Sequence, residues 1–297
     1  MPILPDYQQF DGLHWETGSI RNVLDYQGVK APHTGKAFSE ALLFGISGGV
    51  IAGYFTFEYK GHDPWLHFLT RNTLDPMARL IERMGIPTQV KQTDKPDKAV
   101  KNLTDALEAG QPAIVWADIY SLPYSSMAAS DDLWAIMPIL VYGYEGNTAH
   151  IADRARVPLT VSADAFAAAR GRTASNKYRL MTLGAPDLDR LISAVEAGIL
   201  ACAAYMLDDP PLKPMKGKFG LDAFTRWADL LASSKKEGWA KAYPGAKLYS
   251  VLQTGYRYIN LWGTDKNGAR GQYADFLDEA AVILSQPALN RVAELYR

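Results

Sequence analysis

The chain has 297 residues, of which 48% are hydrophobic and 21% charged, and its formal net charge is −1. This balance excludes a disordered chain, which combines low hydrophobicity with high net charge, and it argues against a general nucleic-acid binder, which carries a basic excess. The single cysteine excludes an internal disulfide framework and a zinc site built from several thiolates.

Helices and strands alternate in the first part of the sequence. Apolar residues at helical spacing predict helices over residues 18–27 and 39–44. An uninterrupted apolar and aromatic run predicts a buried strand over residues 50–57. Two amphipathic helices follow over residues 76–84 and 97–109, and each is closed by a glycine.

Short strands dominate the next stretch, up to residue 183. The first is predicted over residues 113–117. Two apolar runs on either side of a Gly-Asn turn predict a hairpin of residues 136–144 and 148–152. A short strand, a helix and a further strand complete this region over residues 159–161, 162–170 and 178–183.

The character of the sequence changes after residue 184. Helical patterns cover residues 187–206, 221–232, 247–262, 273–284 and 289–296. A proline-rich linker over residues 208–214 interrupts them. We therefore predict an α+β domain over residues 1–185 and an all-α domain over residues 186–297.

No segment of the sequence resembles an export signal or a membrane span. The N-terminus lacks a basic leader and an apolar stretch. The apolar run of residues 192–207 contains Glu196 and is shorter than the roughly 20 residues that cross a bilayer. We expect a cytoplasmic protein that associates with neither a membrane nor nucleic acid.

The common signatures of enzyme sites are absent from the sequence. It contains no dinucleotide-binding GxGxxG after a strand, no P-loop, no HExxH and no GxSxG. The histidines include no pair at a spacing of four residues, which a helical metal site would need. Cys202 lies in an apolar helix, which favours a small core residue over a reactive thiol. We therefore expect no metal and no cofactor.

Three polar clusters are the candidate functional sites. The first, residues 14–19, stands at the start of a helix, where free N–H groups favour anions. The second, residues 118–124, leaves the end of a buried strand, and the third is the pair Asp153 and Arg154. Helix capping, a turn held by Asp118 and a local ion pair explain the same residues in structural terms.

These clusters, in this order, resemble the family of butirosin biosynthesis protein H, together with a helical domain of unknown function that is often fused to it. The resemblance spans nearly the whole chain. It rests on Gly-Leu-His-Trp-Glu-Thr-Gly-Ser at residues 12–19, Ser-Glu-x-x-x-Phe-Gly-x-x-Gly-Gly at 39–49, Asp-x-Tyr-x-Leu-Pro-Tyr at 118–124, Gly-Tyr and Ala-Asp at 143–144 and 152–153, and Gly-x-x-x-x-Tyr-x-x-Phe-Leu at 268–277.

The resemblance implies a papain-like fold and transfer of an aminoacyl group from a carrier-protein thioester to an amine. The expected mechanism uses a cysteine thiolate, a histidine base and an Asp or Asn that orients the histidine. This chain departs from that pattern at the chemistry, because Trp15 stands where the cysteine is expected and Met137 where the histidine is expected. Of the triad that the resemblance implies, only Asp153 remains, so a covalent route through a cysteinyl intermediate cannot run.

Two hypotheses about function follow. In the first, the papain-like cleft performs non-covalent acid–base catalysis on a small amino- or acyl-type intermediate, by acyl transfer, cyclisation or condensation. Its catalytic candidates are His14, Glu16, Tyr120 and Asp153, and its substrate-binding candidates are Trp15, Ser39, Glu40, Asp118, Tyr124 and Met137. In the second, the protein is a non-catalytic relative that binds a small molecule or an acyl or peptidyl carrier domain.

The resemblance also predicts contacts that a structure can test. The helix that begins near Glu16 is expected to lie against the strand of residues 136–144, with Trp15 facing Met137. Aromatic residues at helical spacing in the second domain, among them Trp239, are expected in its core, and they also leave open a homodimer contact.

Overall fold

The computed structural model describes residues 3–57, 65–125, 134–207, 217–261 and 267–297. In these ranges the helices, α1 to α11 in chain order, are Trp15–Tyr26, Glu40–Ile46, Pro76–Arg83, Pro96–Glu108, Ala163–Gly171, Leu191–Leu207, Gly220–Ala232, Trp239–Ala242, Ala246–Asn260, Arg270–Ile283 and Ala288–Tyr296. The strands, β1 to β8, are Val50–Phe57, Trp65–Arg71, Thr88–Lys91, Ala113–Asp118, Ile136–Glu145, Thr148–Ala152, Leu159–Ser162 and Leu180–Leu183. The predicted linker at residues 208–214 lies outside the described residues.

The chain forms two compact units, and each is assembled from two stretches of sequence. Unit 1 contains Met1–Glu40 and Met84–Leu188. Unit 2 contains Ala41–Arg83 and Asp189–Arg297.

Unit 1 is built on an antiparallel sheet with the strand order β3-β8-β4-β5-β6-β7. The inner strands β4 and β5 are apolar along most of their length, and their burial on both faces matches the continuous apolar runs of the sequence. Gly146 adopts a positive φ of 55°, which glycine does without strain, and this allows β5 and β6 to join in a tight hairpin.

Helix α1 packs against β5, as the sequence predicts. The Ser19 hydroxyl donates a hydrogen bond to the carbonyl of Pro138 at 3.4 Å, which joins the first turns of α1 to the start of β5. The apolar side of the helix is fully buried, with Ile20 and Val23 both at 0% exposure. This contact places the start of α1 beside the central strands of unit 1.

Unit 2 combines the hairpin of β1 and β2 with helices α3 and α6 to α11 and with α2 after its first residue. Trp239 lies at the centre of its apolar core and is 2% exposed. The indole Nε1 of Trp239 donates to the Tyr54 hydroxyl at 2.9 Å, and Phe68 packs in the same cluster. The prediction that Trp239 belongs to the core is confirmed.

The chain is α+β with a helical C-terminal region, as predicted, but the predicted domain limits do not coincide with the compact units. Residues 41–83, which the sequence assigned to the first domain, belong to unit 2. The reason is that Tyr54 on β1 stacks on Trp239, and Phe68 on β2 packs against Tyr54 in the same core cluster. The unit that contains the C-terminal helices is therefore not all-α, whereas the domain limits 1–185 and 186–297 stay a prediction.

Two strands and one short helix were not predicted from the sequence. Strand β2 pairs with β1, and β3 pairs with β8 at the edge of the sheet of unit 1. Three of the four residues of β3 are exposed, so this strand lacks the apolar run by which the other strands were recognised. Helix α8 has only four residues, too few for a periodic pattern.

One helical segment of the described residues, Leu188–Leu207, is long and apolar enough to cross a membrane by length and composition. It begins four residues before the apolar run of residues 192–207. This added length is why the segment reaches the length of a membrane span and the run in the sequence does not. Leu191, Val195 and Cys202 of this segment are buried in unit 2, whereas most of the segment is not buried. The expected absence of a membrane span and the cytoplasmic location remain predictions.

Candidate functional site

A buried carboxylate holds the chain in place where α1 begins. Glu40 is 6% exposed, and its two oxygens accept hydrogen bonds from the backbone N–H groups of Leu13 and His14, at 2.7 and 3.0 Å. The Thr17 hydroxyl donates to the same carboxylate at 2.8 Å. Glu40 therefore satisfies donors that the first turn of a helix leaves free, and its negative charge lies at the positive end of the helix dipole.

The segment before α1 lies directly on the helix. A Cβ on Gly12 would come within 2.8 Å of the Cα of Gly18, so only glycine fits at this approach. One helical turn further on, the Asn22 amide accepts from the Tyr7 hydroxyl and the Phe10 N–H and donates to the carbonyls of Phe10 and Gly18. These contacts fix the positions of His14 and Trp15 on the helix.

A stacked cation and a buried carboxylate lie next to Trp15. The guanidinium of Arg154 is 3.4 Å from the centre of the Trp15 ring, and its Nε is 3.5 Å from Asp153 Oδ1. The second carboxylate oxygen of Asp153 accepts a hydrogen bond from the Tyr124 hydroxyl at 2.9 Å. Trp15, Tyr124, Asp153 and Arg154 thus form one group, which we call the Trp15 cluster.

The ionisation of the Trp15 cluster is shifted by burial. The side chain of Asp153 is 6% exposed, and burial raises its pKa above the ordinary value of an aspartate. The neighbouring charge of Arg154 and the hydrogen bond from Tyr124 oppose this rise. Burial raises the pKa of Tyr124 as well, and the charge of Asp153 adds to that effect, so the phenol remains a donor.

A small cavity of about 10 Å³ opens between the start of α1 and the end of β6. His14, Trp15, Ser19, Asp153 and Arg154 contribute to its wall. This volume holds about one water molecule. Two polar atoms of the wall residues, Trp15 Nε1 and Asp153 Oδ1, have no hydrogen-bond partner among the described residues. The cavity is therefore small but offers one donor and one acceptor.

Two of the predicted substrate-binding carboxylates are occupied by the protein itself. Asp118 is 0% exposed, and its oxygens accept from the N–H groups of Tyr120 and Ala135 and from the Ser121 hydroxyl. Glu40 binds the start of α1 in the same manner. The structural interpretation of Asp118, as the residue that holds a turn, agrees with these bonds.

The remaining predicted residues do not line the cavity. Met137 pairs with Ala117 in the sheet, and Glu16 follows Trp15 in the first turn of α1. Ser39 immediately precedes α2, and Tyr120 lies in the short helical turn after β4. The structure therefore brings together His14, Trp15, Tyr124 and Asp153 from the predicted set, and the predicted contact between Trp15 and Met137 stays a prediction.

Sequence reasoning did not assign a site role to Arg154 or Asn22. The sequence placed the pair of Asp153 and Arg154 among the candidate sites but gave Arg154 no role of its own, because a sequence does not show which ring lies under a guanidinium. A positive φ of 23° at Arg154 directs the chain away from the end of β6 at this point. Among the described residues, no group of three or more His, Cys, Asp or Glu side chains is placed to hold a metal ion.

Two family models match the chain. The model described as "Butirosin biosynthesis protein H, N-terminal" matches residues 14–154, and the model described as "Domain of unknown function (DUF4872)" matches residues 164–297. None of the curated proteins matches the chain. The first match begins at His14 and ends at Arg154, and both of these residues line the small cavity. The chain therefore belongs to the family of butirosin biosynthesis protein H, in the architecture in which this N-terminal domain is followed by DUF4872.

Proposed function

We propose that this protein is a biosynthetic enzyme that acts on a small amine by non-covalent acid–base catalysis, with Asp153 and His14 as proton carriers and Trp15 as a binding surface. The observation that carries the proposal is the position of the Arg154 guanidinium, 3.4 Å from the centre of the Trp15 ring and 3.5 Å from Asp153 Oδ1. A cation held between an aromatic face and a carboxylate occupies the place that a protonated amine would take.

The polar atoms of the cavity support the same class of substrate. Asp153 Oδ1 forms an ion pair with Arg154 at 3.5 Å, and an ammonium group that replaces the guanidinium can donate a hydrogen bond to this oxygen. Trp15 Nε1 is a donor without an acceptor, and a hydroxyl or carbonyl oxygen near the amine can supply that acceptor. A small amine that also carries oxygen atoms satisfies both residues.

The space available requires that the substrate replaces the guanidinium. The cavity of about 10 Å³ holds no more than a water molecule, so an amine enters only where the Arg154 side chain is displaced. Arg154 is exposed in unit 1, and its charged group therefore regains water when it leaves Trp15. The exchange of one cation for another keeps the charge of Asp153 balanced.

Acyl transfer is the reaction that this arrangement fits best. The bound ammonium first gives one proton to Asp153, which leaves a neutral nitrogen with a free electron pair. This nitrogen attacks the acyl carbon of a thioester, so that a C–N bond forms and the C–S bond breaks. The second proton that the nitrogen loses passes through His14 to the leaving thiolate, and Asp153 returns its proton to solvent. Burial raises the pKa of Asp153, which makes its carboxylate a stronger base than one in water. Because no covalent enzyme intermediate is formed, Trp15 in place of a cysteine is compatible with this route.

In this proposal the acyl donor is carried by an acyl or peptidyl carrier protein. The test uses an acyl N-acetylcysteamine thioester as a soluble donor and an aminoglycoside as the amine, with the product detected by mass spectrometry. We expect Asp153→Asn to lower turnover by about 10²- to 10⁴-fold, because the amide cannot accept the proton. Unchanged turnover in both Asp153→Asn and His14→Ala would contradict the acid–base roles.

A binding measurement tests the role of Arg154 separately from turnover. We expect Arg154→Ala to bind the aminoglycoside about 3- to 30-fold more tightly in calorimetry, because the competing cation is gone. Arg156→Ala is the matched control, since Arg156 is an exposed neighbour that pairs with Asp11 at 3.0 Å. Equal or weaker amine binding in Arg154→Ala than in the parent would show that the guanidinium does not occupy the amine site.

The second candidate function is that of a non-catalytic relative that binds a small molecule or a carrier domain. The observation that favours it is the commitment of Glu40 and Asp118 to backbone donors, which leaves Asp153 as the carboxylate that lines the cavity. Tight amine binding without product formation, across several acyl donors, would select this function.

A further inference from the structure

Unit 2 contains a cavity of about 200 Å³ between the hairpin of β1 and β2 and the helices α7 and α9. Tyr54, Phe68 and Trp227 form much of its wall, with Ala223 and Phe224 on α7. The wall is mainly apolar, and its aromatic rings contact one another, as the 4.6 Å between the ring centres of Phe68 and Trp227 shows. This is the kind of lining that small-molecule sites have.

One cationic side chain, Arg270, lines the same cavity. It is the first residue of α10 and is half-buried. Its Nη1 donates to the carbonyl of Gly268 at 3.3 Å, and its guanidinium lies 5.6 Å from the ring centre of Phe224. No carboxylate of the described residues forms an ion pair with Arg270.

Among the described residues, the hydrogen bond of Arg270 to Gly268 leaves most of its donors available. A guanidinium carries five N–H groups, and a buried one is ordinarily matched by carboxylates or carbonyls. Burial lowers the pKa of Arg270, and the neighbouring Tyr296 and Cys202 oppose this shift. Trp227 adds a further donor to the wall residues, because its buried Nε1 has no hydrogen-bond partner in the described ranges.

We propose that this cavity binds a small carboxylic acid with a ring-sized apolar group, the carboxylate lying on Arg270 and the apolar group between Tyr54, Phe68 and Trp227. The volume supports the size of the group, since an apolar protein cavity of about 150 Å³ accepts a benzene molecule. The charge supports the carboxylate, because guanidinium and carboxylate form two parallel hydrogen bonds in a dry site. An aryl-substituted or branched short-chain acid has both features.

The test uses 3-phenylpropanoate as the probe and 3-phenylpropanamide as its uncharged match, with binding to the full chain followed by NMR titration. We expect the acid to bind with a Kd of about 1 mM or lower, which is within the affinity that a ligand of this size can reach. We expect it to bind about 10- to 100-fold more tightly than the amide. No binding of the acid at about 10 mM, or equal binding of the acid and the amide, would overturn the proposal.

Two variants assign the binding to this cavity. Arg270→Gln is expected to remove the preference for the acid, whereas Arg291→Gln, which changes an exposed arginine on α11, is expected to keep it. Ala223→Leu adds three carbon atoms to the wall of the cavity and is expected to weaken the binding of both probes, because less space remains for them. A preference for the acid that persists in Arg270→Gln would overturn the assignment, and the acid–amide comparison in the parent chain tests the proposal where a variant fails to fold.

Discussion

Glu40 and Asp153 are buried carboxylates of unit 1 with different surroundings. Glu40 accepts three hydrogen bonds from the start of α1, so its charge is matched by donors at the positive end of a helix. Asp153 accepts a hydrogen bond from Tyr124 and lies beside one cation, Arg154. A carboxylate with few donors is the better proton acceptor, and this difference separates a structural residue from a candidate catalytic one.

The raised pKa of Asp153 predicts a pH dependence of stability. Because the folded state holds this proton more tightly than the unfolded state, whose aspartate pKa is about 3.9, the contribution of Asp153 to stability falls as the pH rises from about 4 through the folded value. Asparagine does not titrate. We therefore expect Asp153→Asn to gain stability relative to the parent over this range, by about 1.4 kcal/mol per unit of pKa shift.

Urea unfolding of both chains at a series of pH values measures this effect. The quantity of interest is the difference in free energy of unfolding between variant and parent, since the other titrating groups cancel in it. If the parent instead gains stability relative to the variant as the pH rises, the effects of Arg154 and Tyr124 on the pKa of Asp153 are larger than the effect of burial. Thermal unfolding at the same pH values is an independent check.

Part of the candidate site could be predicted from the residues alone. His14 and Trp15 precede a helix, and Asp153 follows a strand, so sequence patterns placed them at the ends of elements where sites occur. The sequence predicts that Glu40 and Asp118 bind substrate, whereas in the structure both accept hydrogen bonds from backbone N–H groups. A sequence does not reveal such partners. The stacking of Arg154 on Trp15 depends on the positive φ of Arg154, and the residue types at this turn do not predict that angle.

At the scale of elements, helices α2 and α6 of unit 2 approach each other through glycines. A Cβ on Gly198 would lie 2.5 Å from the carbonyl oxygen of Gly45 and 2.9 Å from the Cα of Ile46. Both of these atoms belong to the backbone, so neither can move aside by a change of rotamer. The contact requires glycine in the middle of α6, where helix propensity alone would favour alanine.

We expect Gly198→Ala to destabilise the protein by about 1–3 kcal/mol, because overpacking outweighs the roughly 1 kcal/mol that alanine gains in a helix. Chemical denaturation measures the change. The control is Ala203→Gly, at an exposed position of the same helix, which is expected to lose about 0.5–1 kcal/mol through propensity only. A more stable Gly198→Ala variant would mean that α2 and α6 can separate without loss.

The elements that were predicted correctly share a strong period or a continuous apolar run, as α4 and β5 do. Those that were missed lack one. Strand β2 contains polar residues among its apolar ones, and its position follows from pairing with β1. Pairing between segments is a property of the folded chain, and a pattern in one segment does not reveal it.

At the scale of the whole molecule, the chain passes from one unit to the other after Glu40, after Arg83 and after Leu188. The last of these points lies near the predicted boundary at residue 185, where the sequence changes from mixed to helical. The first two were not predicted, because the apolar run of β1 looks the same whichever core it joins. Composition predicts where the chain changes from mixed to helical structure, but it does not predict which core the hairpin of β1 and β2 joins.

The composition of unit 2 predicts the behaviour of fragments. We expect the isolated fragment 186–297 to unfold without a cooperative transition, because it lacks Tyr54 and Phe68, which pack with Trp239. Circular dichroism during thermal unfolding measures this. A fragment that joins residues 41–83 to 189–297 through a short glycine-serine linker is expected to unfold cooperatively. A short linker is sufficient because the two ends are close, with Arg190 Nη1 at 3.5 Å from the carbonyl of Glu82.

The outcome that would contradict this expectation is a sharp transition in the fragment 186–297 that matches the joined fragment in midpoint. Tryptophan fluorescence gives a second readout, since Trp239 is buried in the complete unit. A red-shifted emission is expected when the hairpin is missing.

The divided sequence of unit 2 also sets an order of events on the ribosome. Residues 41–83 are synthesised early, but the helices that cover them follow residue 188, and the last of these ends at Tyr296. At about 5–20 residues per second, the nascent hairpin waits for roughly 10–40 s before its core is complete. During that time the rings of Tyr54 and Phe68 lack the aromatic partners of the finished core, so we expect this hairpin to bind a chaperone as the chain is made.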